Sequence, residues 1–71
     1  KKELLSVLNR IIQALPDKFR MPLTLHYLSE LTVEQISIVI KKPPGTVKSR
    51  LYKGRNLIKK RLEELGYEER I

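Results

Sequence analysis

Apolar residues recur at helical intervals in four separate stretches of this chain. Leu4, Leu8, Ile11 and Leu15 fall on one side of a helix, and Leu5 and Ile12 widen the stripe. This spacing predicts an amphipathic helix over about 2–15. Pro16 then punctuates the chain and suits the first turn of a second helix, where a missing amide proton costs little. That helix is expected over 17–29, with Phe19, Leu23 and Tyr27 in its apolar run and with Leu23 and Tyr27 in the core. Pro22 lies within it, removes a backbone hydrogen bond and crowds the carbonyl four residues earlier, so a kink or restart is expected there.

Thr32 followed three residues later by Gln35 is a pairing that caps the open amides of a helix start reciprocally. A short helix over about 33–41 follows, with Val33, Ile36, Val39 and Ile40 as its buried stripe. It has to stop near Lys41 or Lys42, because Pro43-Pro44-Gly45 comes next and the residue before a proline is pushed out of the helical region. The fourth helix is the longest, about 45–65. Val47, Leu51, Gly54, Ile58, Leu62 and Leu65 fall on one side of it, and Gly66 is placed to end it. Residues 67–71 read as a frayed tail.

A short capped helix, a three- or four-residue corner and a longer basic helix form the pattern of a helix-turn-helix. The expected fold is therefore all-α: a compact four-helix domain over 1–66 with a carboxy-terminal helix-turn-helix, winged-helix-like in type. With Val47, Leu51 and Ile58 turned inward, the opposite side of the fourth helix carries Lys48, Ser49, Tyr52, Lys53 and Asn56.

Charge adds a partner to this picture. The formal net charge is +7, and its placement matters more than its size. Lys41, Lys42, Lys48, Arg50, Lys53, Arg55, Lys59, Lys60 and Arg61 follow one another with no acid between Glu34 and Glu63. Such a stripe creates a local positive potential suited to polyanions. A solvated helix face is the plainer reading of a basic run by itself. Set on a helix-turn-helix, the residues take roles. Lys48 and Lys53 are able to donate to guanine, Ser49 to pair with several bases, and Tyr52 to touch a thymine methyl. Thr32, Val33 and the first amides of the third helix suit a phosphate, and Thr46, Arg50 and Arg55 complete the backbone contacts. Arg50 and Arg55 have a competing use as ion-pair partners of Glu34 and Glu30.

Other chemistries find little support. The 71 residues hold no cysteine and one histidine, His26, so neither disulfides nor a zinc ligand set is expected, nor any cofactor. His26, Ser29 and Glu30 lie near one another in sequence without forming a nucleophile-base-orienter set, which argues against an enzyme. His26 is expected as a surface or half-buried packing residue. No apolar run approaches the roughly 20 residues needed to cross a bilayer, and a soluble intracellular protein is expected. Because residue 1 is lysine, the sequence reads as a domain of a longer chain.

The residues also carry a family resemblance. Ala14-Leu15-Pro16-Asp17-Lys18-Phe19-Arg20, Pro22-Leu23, Leu31-Thr32-Val33-Glu34-Gln35-Ile36, and Gly45-Thr46-Val47-Lys48-Ser49-Arg50-Leu51 with Gly54-Arg55 beyond stand in order along the chain. Together they resemble region 4 of the sigma-70 family of RNA polymerase sigma factors, and the GTVKSRL run is most similar to the extracytoplasmic-function (ECF) group. The resemblance extends from about Leu4 to Leu65. It implies binding to the minus-35 promoter element in the bacterial cytoplasm, attachment to the flap of the polymerase beta subunit, and an anti-sigma factor as a possible inhibitor. The groove-facing residues it implies are Lys48, Ser49, Tyr52 and Lys53. Tethering to polymerase is expected to replace dimerisation, leaving the isolated domain monomeric, and Leu5, Ile12 and Leu25 are the candidate contacts for flap or inhibitor.

This sequence departs from the family pattern at Lys42, where an apolar residue is usual, at Pro44, and at Gly54, where alanine is more common. Two other classes compete with the resemblance. One is the helix-turn-helix output domain of a response-regulator transcription factor, which shares the Thr-Val-Lys but tends to lack the Ser-Arg-Leu continuation and the Leu-Pro opening. The other is a basic amphipathic helix lying on an anionic membrane or on a partner protein.

Overall fold

The computed structural model describes residues 2–67, and helix is the one regular element among them. Four helices follow one another: α1 (Lys2–Gln13), α2 (Asp17–Tyr27), α3 (Val33–Ile40) and α4 (Pro44–Glu64). Helix α4 has 21 residues, about 31 Å at the α-helical rise, and so runs along most of the molecule's 35 Å long dimension. The other helices pack around it, α2 most extensively.

The core is a single cluster of Ile11, Ile12, Leu23, Ile36, Val47, Leu51, Ile58 and Leu62, all buried. Every helix contributes to it, and α4 supplies the four residues Val47, Leu51, Ile58 and Leu62 at the spacing that places them on one side. Gly54 belongs to the same stripe. A Cβ at Gly54 would lie 2.6 Å from Leu23 Cδ1 and 3.2 Å from Leu23 Cγ. The glycine therefore lets α2 and α4 come together, which is the close helix contact that offsets its poor helix propensity.

Several sequence expectations are corrected by this packing. Helix α2 continues through Pro22 without a restart. The ring is buried beside Leu23, and its burial in the core compensates for the backbone hydrogen bond it cannot make. Helix α1 ends at Gln13, short of Leu15, where Ala14 and Leu15 bond in a tighter turn to the carbonyls of Ile11 and Ile12. Tyr27 is 47% exposed and Val39 53% exposed, so neither is a core residue. In α3 the inward direction lies between Ile36 and the half-buried Val33 and Ile40; Val39 is turned by roughly 100° from it. Leu65 is in phase with the α4 stripe but is exposed at the C-cap, just past the helix's last residue.

The ends are specified by local chemistry. Thr32 Oγ1 accepts the Gln35 amide at 3.1 Å while Gln35 Oε1 accepts the Thr32 amide at 2.9 Å, a complete capping box. At the other end of α3, Lys41 takes the left-handed conformation with φ 60° and ψ 45°, a position glycine more often fills. The Ser37 hydroxyl donates to the Lys42 carbonyl and ties down the same turn. Gly66, with φ 91°, ends α4, and the Tyr67 amide returns to the Leu62 carbonyl at 2.9 Å. Tyr67 is half-buried and packs on the core, so it is no frayed residue; the rest of the expected tail, 68–71, lies outside the described residues.

Candidate nucleic-acid interface

The corner between α3 and α4 is three residues long, Lys41 to Pro43. Pro43 stands at the N-cap of α4 with extended backbone, and Pro44 begins the helix. The amides of Thr46 and Val47 both turn back to the Pro43 carbonyl, at 3.0 and 3.1 Å, and Pro44 has no amide proton to offer. The two helix starts of the motif therefore differ. In α3 the capping box occupies the amides of Thr32 and Gln35, which leaves those of Val33 and Glu34 in the first turn, where helix geometry provides no partner. In α4 most of the first turn is already committed.

Successive residues of a helix rotate by about 100°, so the inward direction of Val47, Leu51, Ile58 and Leu62 sets an outward row of Gly45, Ser49, Tyr52 and Asn56. Ser49 and Asn56 are exposed, and Tyr52 is 65% exposed. Lys48 and Lys53 lie on either flank of this row, both exposed. The four residues expected to read bases, Lys48, Ser49, Tyr52 and Lys53, thus share one accessible side of α4 within its first ten residues.

The expected backbone contacts are more scattered. Thr32 is exposed, and Val33, Thr46 and Arg50 are half-buried. Thr32 offers its hydroxyl proton, since the hydroxyl oxygen is accepting from Gln35. Arg50 and Arg55 leave α4 on opposite flanks. Among the described residues, neither pairs with Glu30 or Glu34, which removes the competing use, whereas Arg20 pairs with Asp17 and Arg61 with Glu64. Arg55 lies apart from the reading row, at the rim of an apolar groove formed by α1, the end of α2 and the second half of α4.

That groove has a volume of about 630 Å³. Leu5, Leu8, Tyr27, Leu28 and Tyr67 line it, with the buried Ile12 and Ile58 at its floor. Of the three residues expected to meet a partner, Leu5 is 65% exposed and accessible from outside. Ile12 is 4% exposed. It is a core residue that a partner would meet only at the groove floor, because its side chain is consumed by packing among the helices. Leu25 is half-buried and packs against the core without lining the groove. Tyr27 and Leu28 were missed as surface residues. The signal was present, since Phe19, Met21, Leu23, Leu25 and Tyr27, followed by Leu28 at the C-cap, are more apolar residues than one side of this 11-residue helix can bury.

His26 is half-buried, as expected, and its Nδ1 lies 3.1 Å from the Leu31 carbonyl. Its ring meets Tyr27 edge-on at 5.1 Å. The contact links the end of α2 to the residue before the Thr32 cap and so helps place the start of α3. No helix among the described residues is long and apolar enough to cross a membrane.

A short capped helix, a three-residue corner and a long helix with an open cationic side, braced by two further helices, define a helix-turn-helix domain. Residues 5–58 match the family described as Sigma-70, region 4. The chain belongs to that family, in its ECF group. It is 38% identical over 63 residues to the ECF RNA polymerase sigma factor SigW of Bacillus subtilis, covering 89% of this chain and 34% of that protein. To the ECF RNA polymerase sigma-E factors of Salmonella typhimurium and Escherichia coli K12 it is 36% identical over 64 residues, covering 90% of this chain and 34% of theirs. The chain therefore spans about a third of the length of the curated relatives it matches.

Proposed function

We propose that this chain binds double-stranded promoter DNA at the minus-35 element as the region 4 domain of an ECF sigma factor, helping to direct RNA polymerase to its promoters. The observation that carries the proposal is the outward side of α4, where Lys48, Ser49, Tyr52 and Lys53 are exposed together. A major groove admits one such helix, and residues near its amino end reach the base edges. Lys48 and Lys53 donate to guanine, Ser49 pairs with a neighbouring base, and Tyr52 packs on a thymine methyl. The Val33 amide and the Thr32 hydroxyl hold one phosphate, and Thr46 and Arg50 hold others. Arg55, at the groove rim, reaches the backbone only on the flank facing α1.

A single module of this kind buries roughly 600–1,000 Å² of protein surface on DNA, so a second attachment is needed for tight occupancy. The polymerase beta-subunit flap supplies it, raising the effective concentration at the promoter. Leu5, with Ile12 at the floor beneath it, receives the flap or an anti-sigma factor in the α1–α2–α4 groove; Leu25 takes part only through packing behind it. The domain acts as a monomer in the bacterial cytoplasm, without catalysis or cofactor. A membrane-surface role for α4 is disfavoured because its apolar edge is used up internally, with Val47, Leu51 and Ile58 at 0%, 2% and 7% exposure.

Selection from a randomised duplex pool by this chain, with bacterial polymerase core present, tests the reading. Enrichment of one short motif is expected. A pool that stays random, or binding that does not weaken between low and moderate salt, contradicts it.

A further inference from the structure

Gly45 is the first member of the outward row of α4, and nothing in the folded chain calls for a glycine there. A Cβ at Gly45 would find no heavy atom within 4 Å. Its backbone is not left-handed either; among the described glycines that conformation belongs to Gly66. Gly54 is the contrasting case, with a core side chain pressed against it. Glycine weakens a helix relative to alanine because the unfolded chain retains more freedom. The free domain thus carries a cost at Gly45 from which its own packing gains nothing.

The remaining physical use of a bare α-carbon is close approach by something outside the fold. Position supports that use. Gly45, Ser49, Tyr52 and Asn56 follow the i, i+4, i+7, i+11 row of one helix side, so the missing side chain leaves a notch in line with two of the residues assigned to base edges. The notch lies where α4 leaves the Pro43–Pro44 corner, the end of the helix that enters a groove first. Both prolines lock φ near its helical or extended value, so the backbone at this point has little freedom to retreat from an approaching duplex.

Building on the duplex-reading role proposed above, we infer that Gly45 sets how deeply α4 enters the major groove. Its bare α-carbon packs against the groove edge, and the helix settles to the depth at which Ser49 and Tyr52 reach the bases. A methyl at this position lifts the amino end of α4 from the duplex. It weakens specific binding more than non-specific binding, because the short Ser49 and Tyr52 contacts to the bases depend on depth, whereas Arg50 and Arg55 still reach phosphates from a helix that sits higher.

The test uses the 71-residue chain with Gly45→Ala and Gly45→Ser, followed by thermal unfolding and by binding isotherms on the selected duplex and on a scrambled duplex of equal length. The expected result is an unchanged or higher melting temperature. Affinity for the selected duplex should fall about tenfold, the scale of one extra methyl in a tight contact, with a smaller loss on the scrambled one. Wild-type affinity and wild-type selectivity in both variants overturn the inference while leaving the promoter-binding reading intact. A lowered melting temperature also overturns it, since the added carbon would then collide within the fold. A wild-type chain that fails to distinguish the two duplexes removes both readings together.

Discussion

The two sides of α4 obey different rules. Inward, Val47, Leu51, Gly54, Ile58 and Leu62 are buried where α4 packs on α2, α3 and α1, and the position of each is dictated by neighbours already present. Outward, Gly45, Ser49, Tyr52, Lys53 and Asn56 touch little of their own chain. The same 21-residue helix is thus a finished interface on one side and an unfinished one on the other. A substitution on the inward side is expected to register as stability, and one on the outward side as affinity, with little crossover between the two.

The largest effect is expected inward. Leu23→Ala removes a side chain of 0% exposure from between α2 and α4, and should cost roughly 2–5 kcal/mol of stability. Urea unfolding measures it, and a loss below about 1 kcal/mol would mean that the helices collapse into the space. Next comes Lys53→Ala on the outward side. It should leave the unfolding midpoint within about 0.5 kcal/mol yet cost about 1–3 kcal/mol on the selected duplex and relax base preference. An unchanged ratio between specific and random duplexes would refute its reading role.

Gly54→Ala is a finer probe of the inward side. The added carbon gains about 0.5–1 kcal/mol of helix propensity but overpacks a buried Leu23, at a typical cost of about 1–3 kcal/mol. A thermal scan should show a lower melting temperature; a rise would indicate that Leu23 can turn aside. The smallest effect belongs to Arg50→Ala, which should weaken all duplexes alike and flatten the dependence of log affinity on log salt by about one unit. A sequence-dependent loss would move Arg50 from the phosphate contacts to the base contacts.

Legibility in the sequence followed the same division. The inward stripe of α4 could be read from spacing because it spans more than four turns, long enough for periodicity to outweigh individual residues. The cap at Thr32 and the stop at Gly66 were readable because each depends on a local hydrogen-bond pattern within a few residues. Tyr27 and Leu65 were misjudged because periodicity identifies an apolar side without saying how far along the helix a partner covers it. Val39 was misjudged because the apolar stripe of α3 is wider than the side it buries, and Val39 lies about 100° from that side. Pro22 shows the converse, where burial against neighbours overrides a local rule. In the interface, the outward cluster of Lys48, Ser49, Tyr52 and Lys53 followed from the inward stripe by elimination. The separation of Arg55 from that cluster did not, because it depends on where α1 and α2 lie around α4.

What the sequence determined by itself was the number and order of helices, the corner between α3 and α4, the segregation of positive charge and the family. All of these rest on spacing and local bonding along the chain. The tertiary structure alone decided that Ile12 is consumed by the core while Leu5 remains outside. It also decided that Gly54 answers to Leu23 and that Gly45 answers to nothing within the fold. Those distinctions concern which surfaces meet, and contact between helices distant in sequence exists only once the chain has closed on itself.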